Sequence, residues 1–264
     1  MRESCFMMWL LLAAAPLVAA AAELPDTGQT TCFTDSAADP VPASDPASVA
    51  RDAGTHPRQD CRYGRDPAVL SGNLIRTGGG AKSFDYSKIA NNGTLVPLNA
   101  SLGTAATDWA CTRDNLTGLT WEVKTTSAAS LRYALHLYAW LDDNASTNGG
   151  NAGSAGVNTC NGTLPGNQCN TQAYVAAVNA ANLCGHADWR LPSVRELSTL
   201  HYAVDTPADG VDPAFLPNTS GLQFWTSATY AFDTSSAWEA NAISSSTSAK
   251  TSALYVWVVR GGPF

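Results

Sequence analysis

The apolar residues of the second half of the chain follow helical spacing over Thr171–Leu183. Four of them recur at intervals that place them on one face of an α-helix: Tyr174, Val175, Val178 and Ala181. Gly185 follows, and glycine is the residue that most often ends a helix in a left-handed turn. The pattern therefore predicts an amphipathic helix that ends just before Gly185.

A second helix is predicted to begin at Ser193. The Ser193 hydroxyl can accept a hydrogen bond from the Glu196 amide, while the Glu196 carboxylate accepts one from the Ser193 amide, as in a capping box. Pro192 restricts the residue before it and helps to fix this start. We expect the helix to run to about Ala203, and a further helical segment over Leu131–Leu141.

Short runs of β-branched and aromatic residues predict strands. They cover Gly118–Val123, Phe224–Thr229, Ala237–Ile243 and Leu254–Val259. The last run is apolar at both odd and even positions, which predicts a central strand buried on both faces. Helices followed by several strands indicate an α+β fold with a mainly antiparallel sheet.

The composition of the chain changes near residue 105. Residues 23–105 contain no tryptophan and are rich in Pro, Ala, Asp, Gly and Ser, which predicts a loop-rich N-terminal extension. Residues 106–264 are long enough for one compact domain. Within that domain, the Asn-, Gly- and Ser-rich stretch at 144–170 predicts a long surface loop.

The first residues have the pattern of an export signal. Arg2 precedes an apolar run at 6–18, and four alanines follow at 19–22. We expect cleavage near Ala22, so that residues 1–22 are a signal peptide. The mature protein is then periplasmic, exposed at the cell surface or secreted.

The cysteines agree with export. Six remain after the signal peptide, and an even number in an exported chain predicts disulfides. We favour Cys32–Cys61 and Cys160–Cys169 because they close local loops, which leaves Cys111–Cys184. Six cysteines allow 15 pairings, so this connectivity is one choice among several.

The charge balance excludes several classes of partner. The formal charge is −7, from 15 Lys and Arg against 22 Asp and Glu, without basic runs. Such a chain is a poor candidate for binding nucleic acid or an anionic membrane. No apolar stretch of membrane-spanning length occurs after the N-terminus, so we expect no membrane span after signal cleavage.

The sequence contains no familiar catalytic or metal-binding motif. It has no nucleophile elbow, no zinc-protease motif and no phosphate-binding loop. The acidic run at 142–148 resembles the start of a calcium loop, but Thr147 occupies the position that requires glycine. We therefore expect a non-enzymatic protein with no catalytic residue, no cofactor and no metal.

Five pieces of sequence, in order, resemble the bacterial Lcl C-terminal domain family. They lie at 111–124, at 188–192 with 196–197, at 215–219, at 224–227 and at 259–262, and they begin with Cys-Thr-Arg-Asp-Asn-Leu-Thr-Gly-Leu-Thr-Trp. The second piece reads Asp-Trp-Arg-Leu-Pro, followed by Glu-Leu. The resemblance covers about residues 106–262.

The resemblance implies a C-type-lectin-like fold, in which the first and last strands pair and two helices lie beside them. It also implies adhesion, which in this family includes binding of sulfated glycosaminoglycans. The chain departs from related folds in two ways. The enzymatic branch uses cysteines late in the chain, whereas this chain has none after Cys184, and it also contains no calcium-lectin motif. It also lacks the clustered cations that sulfated glycans need.

Two groups of residues are candidates for special roles. We assign a structural role to the residues around the second helix, with Arg190 paired to a carboxylate such as Glu196: Trp189, Arg190, Pro192 and Glu196. The candidate ligand-binding residues lie in a segment rich in Ser, Thr, Asn and aromatics, as at other recognition surfaces: Tyr230, Phe232, Asp233, Trp238, Glu239 and Asn241.

These observations favour a secreted or surface-exposed binding module for an extracellular glycan or protein ligand. The alternatives are a structural subunit of a surface assembly, which would allow a homo-oligomer, and a hydrolase or oxidase of unknown mechanism.

Overall fold

The computed structural model describes residues 31–33, 40–42, 57–81, 84–201 and 210–262, and the fold in these ranges is α+β with mainly antiparallel sheets. The predicted signal peptide, residues 1–22, lies outside the described residues. The α-helices are α1 (Asp60–Tyr63), α2 (Arg65–Leu70), α3 (Thr171–Ala180) and α4 (Val194–Ser198). Short 3₁₀ turns occupy Pro165–Asn167 and Leu183–Gly185.

A five-stranded antiparallel sheet forms one half of the fold. Its members are β3 (Tyr86–Ala90), β4 (Leu95–Val96), β5 (Trp109–Asp114), β6 (Thr120–Glu122) and β10 (Val259–Arg260), in the order β10-β6-β5-β3-β4. Strand β3 pairs with β5, with Lys88 opposite Thr112. The sheet therefore extends across residue 105, and the last part of the predicted loop-rich extension is built into it.

Two further sheets are smaller. Strands β7 (Phe224–Thr229), β8 (Ser236–Ala240) and β9 (Ser245–Ala249) form a three-stranded antiparallel sheet in that order. Strands β1 (Thr31–Phe33) and β2 (Pro40–Pro42) form a separate antiparallel pair.

The prediction of a central strand at Leu254–Val259 is wrong in its placement. Only Val259 and Arg260 form the strand, and β10 is the terminal member of the sheet order, paired with β6. The segment is nonetheless buried on both faces, as predicted, because Val256 and Val258 pack into one core cluster and Trp257 and Val259 into another. At its edge, Arg190 bridges Val259 and Phe224 bridges Tyr255. These single bridges cover the strand edge that a neighbouring strand would otherwise cover.

The helix predicted over Leu131–Leu141 is also wrong. Buried side chains recur there at every second residue, which is the period of an extended chain: Arg132, Ala134, His136, Tyr138 and Trp140. Backbone hydrogen bonds run to distant segments, including Tyr138 N to Leu254 O at 2.7 Å. Tertiary pairing therefore fixes this segment as extended.

The helices predicted over Thr171–Leu183 and from Ser193 both exist, but each ends earlier than predicted. Helix α3 ends at Ala180, and α4 ends at Ser198 instead of near Ala203. In the last turn of α4 the hydroxyls of Ser198 and Thr199 donate to the carbonyls of Arg195 and Glu196, at 2.7 Å each. Leu200 N then bonds to Leu197 O in a tighter 3₁₀ pattern, which ends the helix.

Aromatic side chains dominate the core. One cluster contains Tyr138, Trp140, Tyr174, Trp189 and Trp225, and a second contains Phe84, Tyr86, Trp121, Phe224 and Trp257. The rings of Trp121 and Trp257 are 5.0 Å apart, which joins β6 to the segment before β10. The last strand of the domain is thus packed against its first strands.

The three predicted disulfides are confirmed. Cys32–Cys61 joins β1 to α1, Cys111–Cys184 joins β5 to the turn after α3, and Cys160–Cys169 closes part of the long loop. Disulfides of this number are typical of exported proteins.

Candidate ligand-binding surface

Three aromatic side chains meet on the three-stranded sheet. The ring of Tyr230 is 5.6 Å from that of Phe232 and 5.6 Å from that of Trp238, against which it packs edge to face. Phe232 is 91% exposed, while Tyr230 and Trp238 are half-buried. We call these three residues the hairpin aromatic cluster.

The turn between β7 and β8 holds this cluster in place. Tyr230 N donates to Ser236 O at 2.9 Å and closes the hairpin. Asp233 accepts hydrogen bonds from the Ser235 amide and hydroxyl at one carboxylate oxygen and from the Ser236 hydroxyl at the other. The hydrogen bonds from Ser235 and Ser236 lower the pKa of Asp233. The Asp233 carboxylate is therefore charged and already engaged in forming the turn.

Asn241 forms the turn at the other end of β8. Its side-chain oxygen accepts hydrogen bonds from Ile243 N and Ser244 N, at 2.8 Å each. Asn241 thus shapes the β8–β9 turn, at the opposite end of β8 from the turn that holds Tyr230 and Phe232.

Glu239 lies on the other face of the sheet from Trp238. Adjacent residues in a strand point to opposite faces, and Glu239 is opposite Trp225 in the register with β7. Its Oε2 atom is buried and has no hydrogen-bond partner within the described residues. The structure therefore brings Tyr230, Phe232, Asp233 and Trp238 together and places Glu239 and Asn241 elsewhere.

The residues around α4 are bonded to this sheet. Trp189 is 2% exposed and donates from Nε1 to Leu183 O at 3.0 Å. Arg190 and Glu196 form an ion pair with an Nη2–Oε1 distance of 2.6 Å, and Ser193 and Glu196 form a complete capping box. The Pro192 carbonyl accepts a hydrogen bond from Ser227 N of β7 at 2.9 Å. This motif therefore anchors the strand that leads into the cluster.

Sequence reasoning missed a buried ionic network. Glu122 and Lys124 are both buried, with their charged atoms 3.0 Å apart. The Tyr174 hydroxyl donates to Glu122 and accepts from Lys124 Nζ. Burial lowers the pKa of Lys124 and raises that of Tyr174. The detectable sign in the sequence was two opposite charges two residues apart, Glu122 at the end of β6 and Lys124 just after it.

All three lysines within the described ranges are buried. Lys88 lies 3.7 Å from the centre of the Trp109 ring, and Lys250 donates to the carbonyls of Asn148 and Asn151 while lying over Trp140. Burial lowers the pKa of both ammonium groups. Neither lysine can contribute a cation to the surface.

The arginines add little surface charge. In the described part of residues 110–260, Arg132 is buried, Arg190 pairs with Glu196, and Arg260 pairs with Asp188 at 2.7 Å. Arg113 and Arg195 remain as exposed arginines of this region. The described residues also hold no group of three His, Cys, Asp or Glu side chains that could bind a metal ion.

A family comparison identifies this region. The model of the Lcl C-terminal domain matches residues 110–260, more than half of the chain. The chain belongs to the Lcl C-terminal domain family. No curated protein and no solved structure matches the chain.

The Lcl C-terminal domain of this chain contains the main features described above. The hairpin aromatic cluster, the Arg190–Glu196 pair and two of the disulfides all fall within the matched residues. In the part of the chain that the structure describes, every helix is too short or too polar to cross a bilayer.

Proposed function

We propose that this Lcl C-terminal domain is a non-catalytic module that binds an extracellular glycan or protein ligand through the hairpin aromatic cluster. The observation that carries the proposal is the exposed ring of Phe232, packed on Tyr230 at the end of the β7–β8 hairpin. An exposed cluster of aromatic rings marks an interaction site more often than an isolated apolar residue does.

The physics of the cluster favours binding. Aromatic side chains contribute a large contact area and lose few rotamers when a ligand binds. Tyr230 is already held between Phe232 and Trp238, and hydrogen bonds to Asp233 hold the turn, so little order remains to be gained on binding. Preorganised aromatics of this kind act as affinity hot spots.

The charge distribution supports an uncharged or cationic ligand. Asp233 is charged beside the cluster, while Lys250, the nearest lysine in sequence, is buried and bonded to backbone carbonyls. Among the described residues near this surface, a sulfated glycan would meet a carboxylate and no free ammonium. We therefore also propose that this domain does not require a polyanionic ligand.

The scaffold is proposed to be C-type-lectin-like and the protein to act outside the inner membrane. The pairing of β10 with β6, beside β5, supports the scaffold because the ends of the domain meet in one sheet. The three disulfides support export.

The test is a glycan and protein array probed with the purified mature protein and two variants. Phe232→Ala removes the exposed ring, and Ile75→Ala removes a similarly exposed apolar side chain, 90% exposed, outside the matched region. We expect hits that weaken at least tenfold in Phe232→Ala and persist in Ile75→Ala. Hits that survive in both variants, or an array without hits for the folded protein, would contradict the proposal.

A structural subunit is the second candidate, favoured by strand β9. It is the terminal strand of its sheet and reads Ser-Ser-Thr-Ser-Ala, without the charges or prolines that usually protect a strand edge. Light scattering after size exclusion tests this candidate, because pairing through β9 would produce stable oligomers and Thr247→Pro would abolish them.

A further inference from the structure

We propose a second binding site, in a cleft apart from the hairpin aromatic cluster, that takes a single uncharged pyranose ring of a saccharide. The cleft has a volume of about 300 Å³. Its walls include Thr125, Thr126, Tyr133, Leu135, Asn218 and Leu222, none of them charged. This volume is at the lower end of the range for small-molecule sites, which suits one ring and not a longer segment.

Asn218 is a polar lining residue of the cleft whose side chain is held in place. Asn218 has a left-handed backbone with φ of 63°, and its amide nitrogen donates to Lys124 O at 2.9 Å. The side-chain oxygen of Asn218 is then oriented but accepts no hydrogen bond from the described residues. A sugar hydroxyl is the kind of donor that this oxygen lacks.

Thr125 adds a second polar group to the same cleft. Its backbone is bonded on both sides, to Arg132 O at 2.9 Å and to Ala134 N at 3.0 Å. Its side-chain hydroxyl is buried and has no hydrogen-bond partner among the described residues. Leaving such a group unpaired is costly, and a small rearrangement that lets a ligand hydroxyl reach it would relieve the cost.

The lining of the cleft also includes large apolar side chains. Tyr133 is half-buried and packs edge to face on His136, with ring centres 5.0 Å apart. Leu135 is 53% exposed, which is unusual for a large apolar side chain beside a cleft, and Leu222 completes the wall. A pyranose ring has an apolar C–H face and a polar rim, so it matches a cleft lined by both apolar and polar side chains.

The charges behind the cleft are already neutralised. Lys124 points its ammonium at Glu122 and Tyr174, and Arg132 donates to the carbonyls of Ala110, Val123 and Gly103. Neither cation is left to bind a carboxylate or sulfate in the cleft. A charged sugar would lose its hydration without gaining a partner, which favours uncharged sugars.

The experiment is ligand-observed and protein-observed NMR with a panel of uncharged methyl glycosides at millimolar concentrations. The protein is made in a host that adds no N-linked glycans, because Asn218-Thr219-Ser220 is a glycosylation sequon. We expect at least one glycoside to shift the amides of 125–126, 133–135 and 218–222. The matching uronic acid or sulfate ester should bind at least fivefold more weakly.

Variants localise the site. Ser220→Trp should block the cleft and abolish binding, and Leu135→Ala should weaken it about threefold to tenfold through lost apolar contact. Leu95→Ala, at a 71% exposed position on β4, is the matched control and should change nothing. Melting temperatures near that of the unmodified protein show that each variant is folded.

Three outcomes would overturn the inference. They are no shift with any uncharged glycoside, tighter binding of the charged analogues, and binding that persists in both Ser220→Trp and Leu135→Ala. Phe232→Ala separates this site from the hairpin aromatic cluster, since loss of glycoside binding in that variant alone would assign the ligand to the cluster.

Discussion

Arg190 and Glu196 face each other as a two-point ion pair, with Nη2–Oε1 at 2.6 Å and Nη1–Oε2 at 2.9 Å. Glu196 is almost completely buried, while the Arg190 side chain is 43% exposed. The same carboxylate accepts the Ser193 amide at 2.8 Å, so it caps α4 as well as holding Arg190. Arg190 in turn pairs through its backbone with Val259, and this connects the start of α4 to the last strand.

Removing Arg190 should therefore destabilise the domain. Arg190→Ala leaves the Glu196 carboxylate buried with only the Ser193 donors, and we expect a loss of about 1–3 kcal/mol in the free energy of unfolding. Arg195→Ala is the matched control, because Arg195 is exposed on the same helix. Urea unfolding measures both. Equal stability of the two variants would show that the pair contributes nothing.

Acid should weaken the same pair. Burial alone would raise the pKa of Glu196, but the Arg190 guanidinium and the Ser193 donors outweigh it and hold this pKa below its usual value. The stability from this group is present above the unfolded-state pKa and is lost as the pH falls through the lower folded-state value. The difference in free energy of unfolding between Arg190→Ala and the unmodified protein should therefore be smaller in acid. Urea unfolding at pH 3 and at pH 7 measures this difference.

The Cys111–Cys184 disulfide should contribute more than Cys160–Cys169. The first spans 73 residues of sequence and the second spans 9, so the first restricts the unfolded chain more. Replacing both cysteines by alanine should cost about 4 kcal/mol for the first pair and about 3 kcal/mol for the second. Thermal unfolding of the two double variants checks the order, and the reverse order would show that strain or packing outweighs chain entropy.

Lysine acylation should be slow at three positions of the folded protein. Lys88, Lys124 and Lys250 are each at most 7% exposed, and only the neutral amine of an accessible lysine reacts. We expect an amine-reactive ester to leave these three unmodified under native conditions and to modify them in denaturant. Peptide mass spectrometry after short exposure measures this, and rapid native labelling of Lys124 would contradict its buried position.

Stability should fall in mild acid because of His136. Its ring is 4% exposed between Tyr133 and Tyr138, and burial lowers its pKa from the ordinary 6.5, an effect that nearby Lys124 increases. Below about pH 6.5 the unfolded chain therefore binds more protons at this residue than the folded protein does, so stability falls as the pH drops. His136→Phe keeps a ring in place, and the difference in melting temperature between pH 7.5 and pH 5 should be smaller in this variant than in the unmodified protein.

Local patterns predicted well the parts of the fold that depend on neighbouring residues. The Ser193–Glu196 capping box needs only residues three apart, and helix α3 needs only its own periodicity. The disulfides Cys32–Cys61 and Cys160–Cys169 were predictable because each closes a local loop. The family was also predictable, since its motif residues are distinctive even in a single sequence.

Burial of polar residues explains the failures. In the segment predicted as a helix at 131–141, the buried alternate positions include Arg132 and His136, which a hydrophobicity pattern reads as solvent-facing. Strand β3 was not predicted for the same reason, because it contains the buried Lys88, whose ammonium lies over Trp109. Only the tertiary partners reveal these positions as core.

The candidate binding residues were a mixture for a similar reason. Aromatic content pointed to Tyr230, Phe232 and Trp238, but only the hairpin shows that Trp238 reaches Tyr230. Asp233 and Asn241 looked like ligand contacts in the sequence, and the structure uses their side-chain oxygens to form turns. The cleft beside Asn218 could not be predicted, because its walls come from three separate segments.

The most direct test of the account is to map where an array-derived ligand binds, by titrating it into isotope-labelled mature protein and following backbone amide shifts. The account predicts that the largest shifts lie at 229–238 and at Thr247, which is opposite Trp238 in the sheet. Large shifts confined to other surfaces, with the 229–238 amides unchanged, would contradict the claim that the hairpin aromatic cluster binds the ligand.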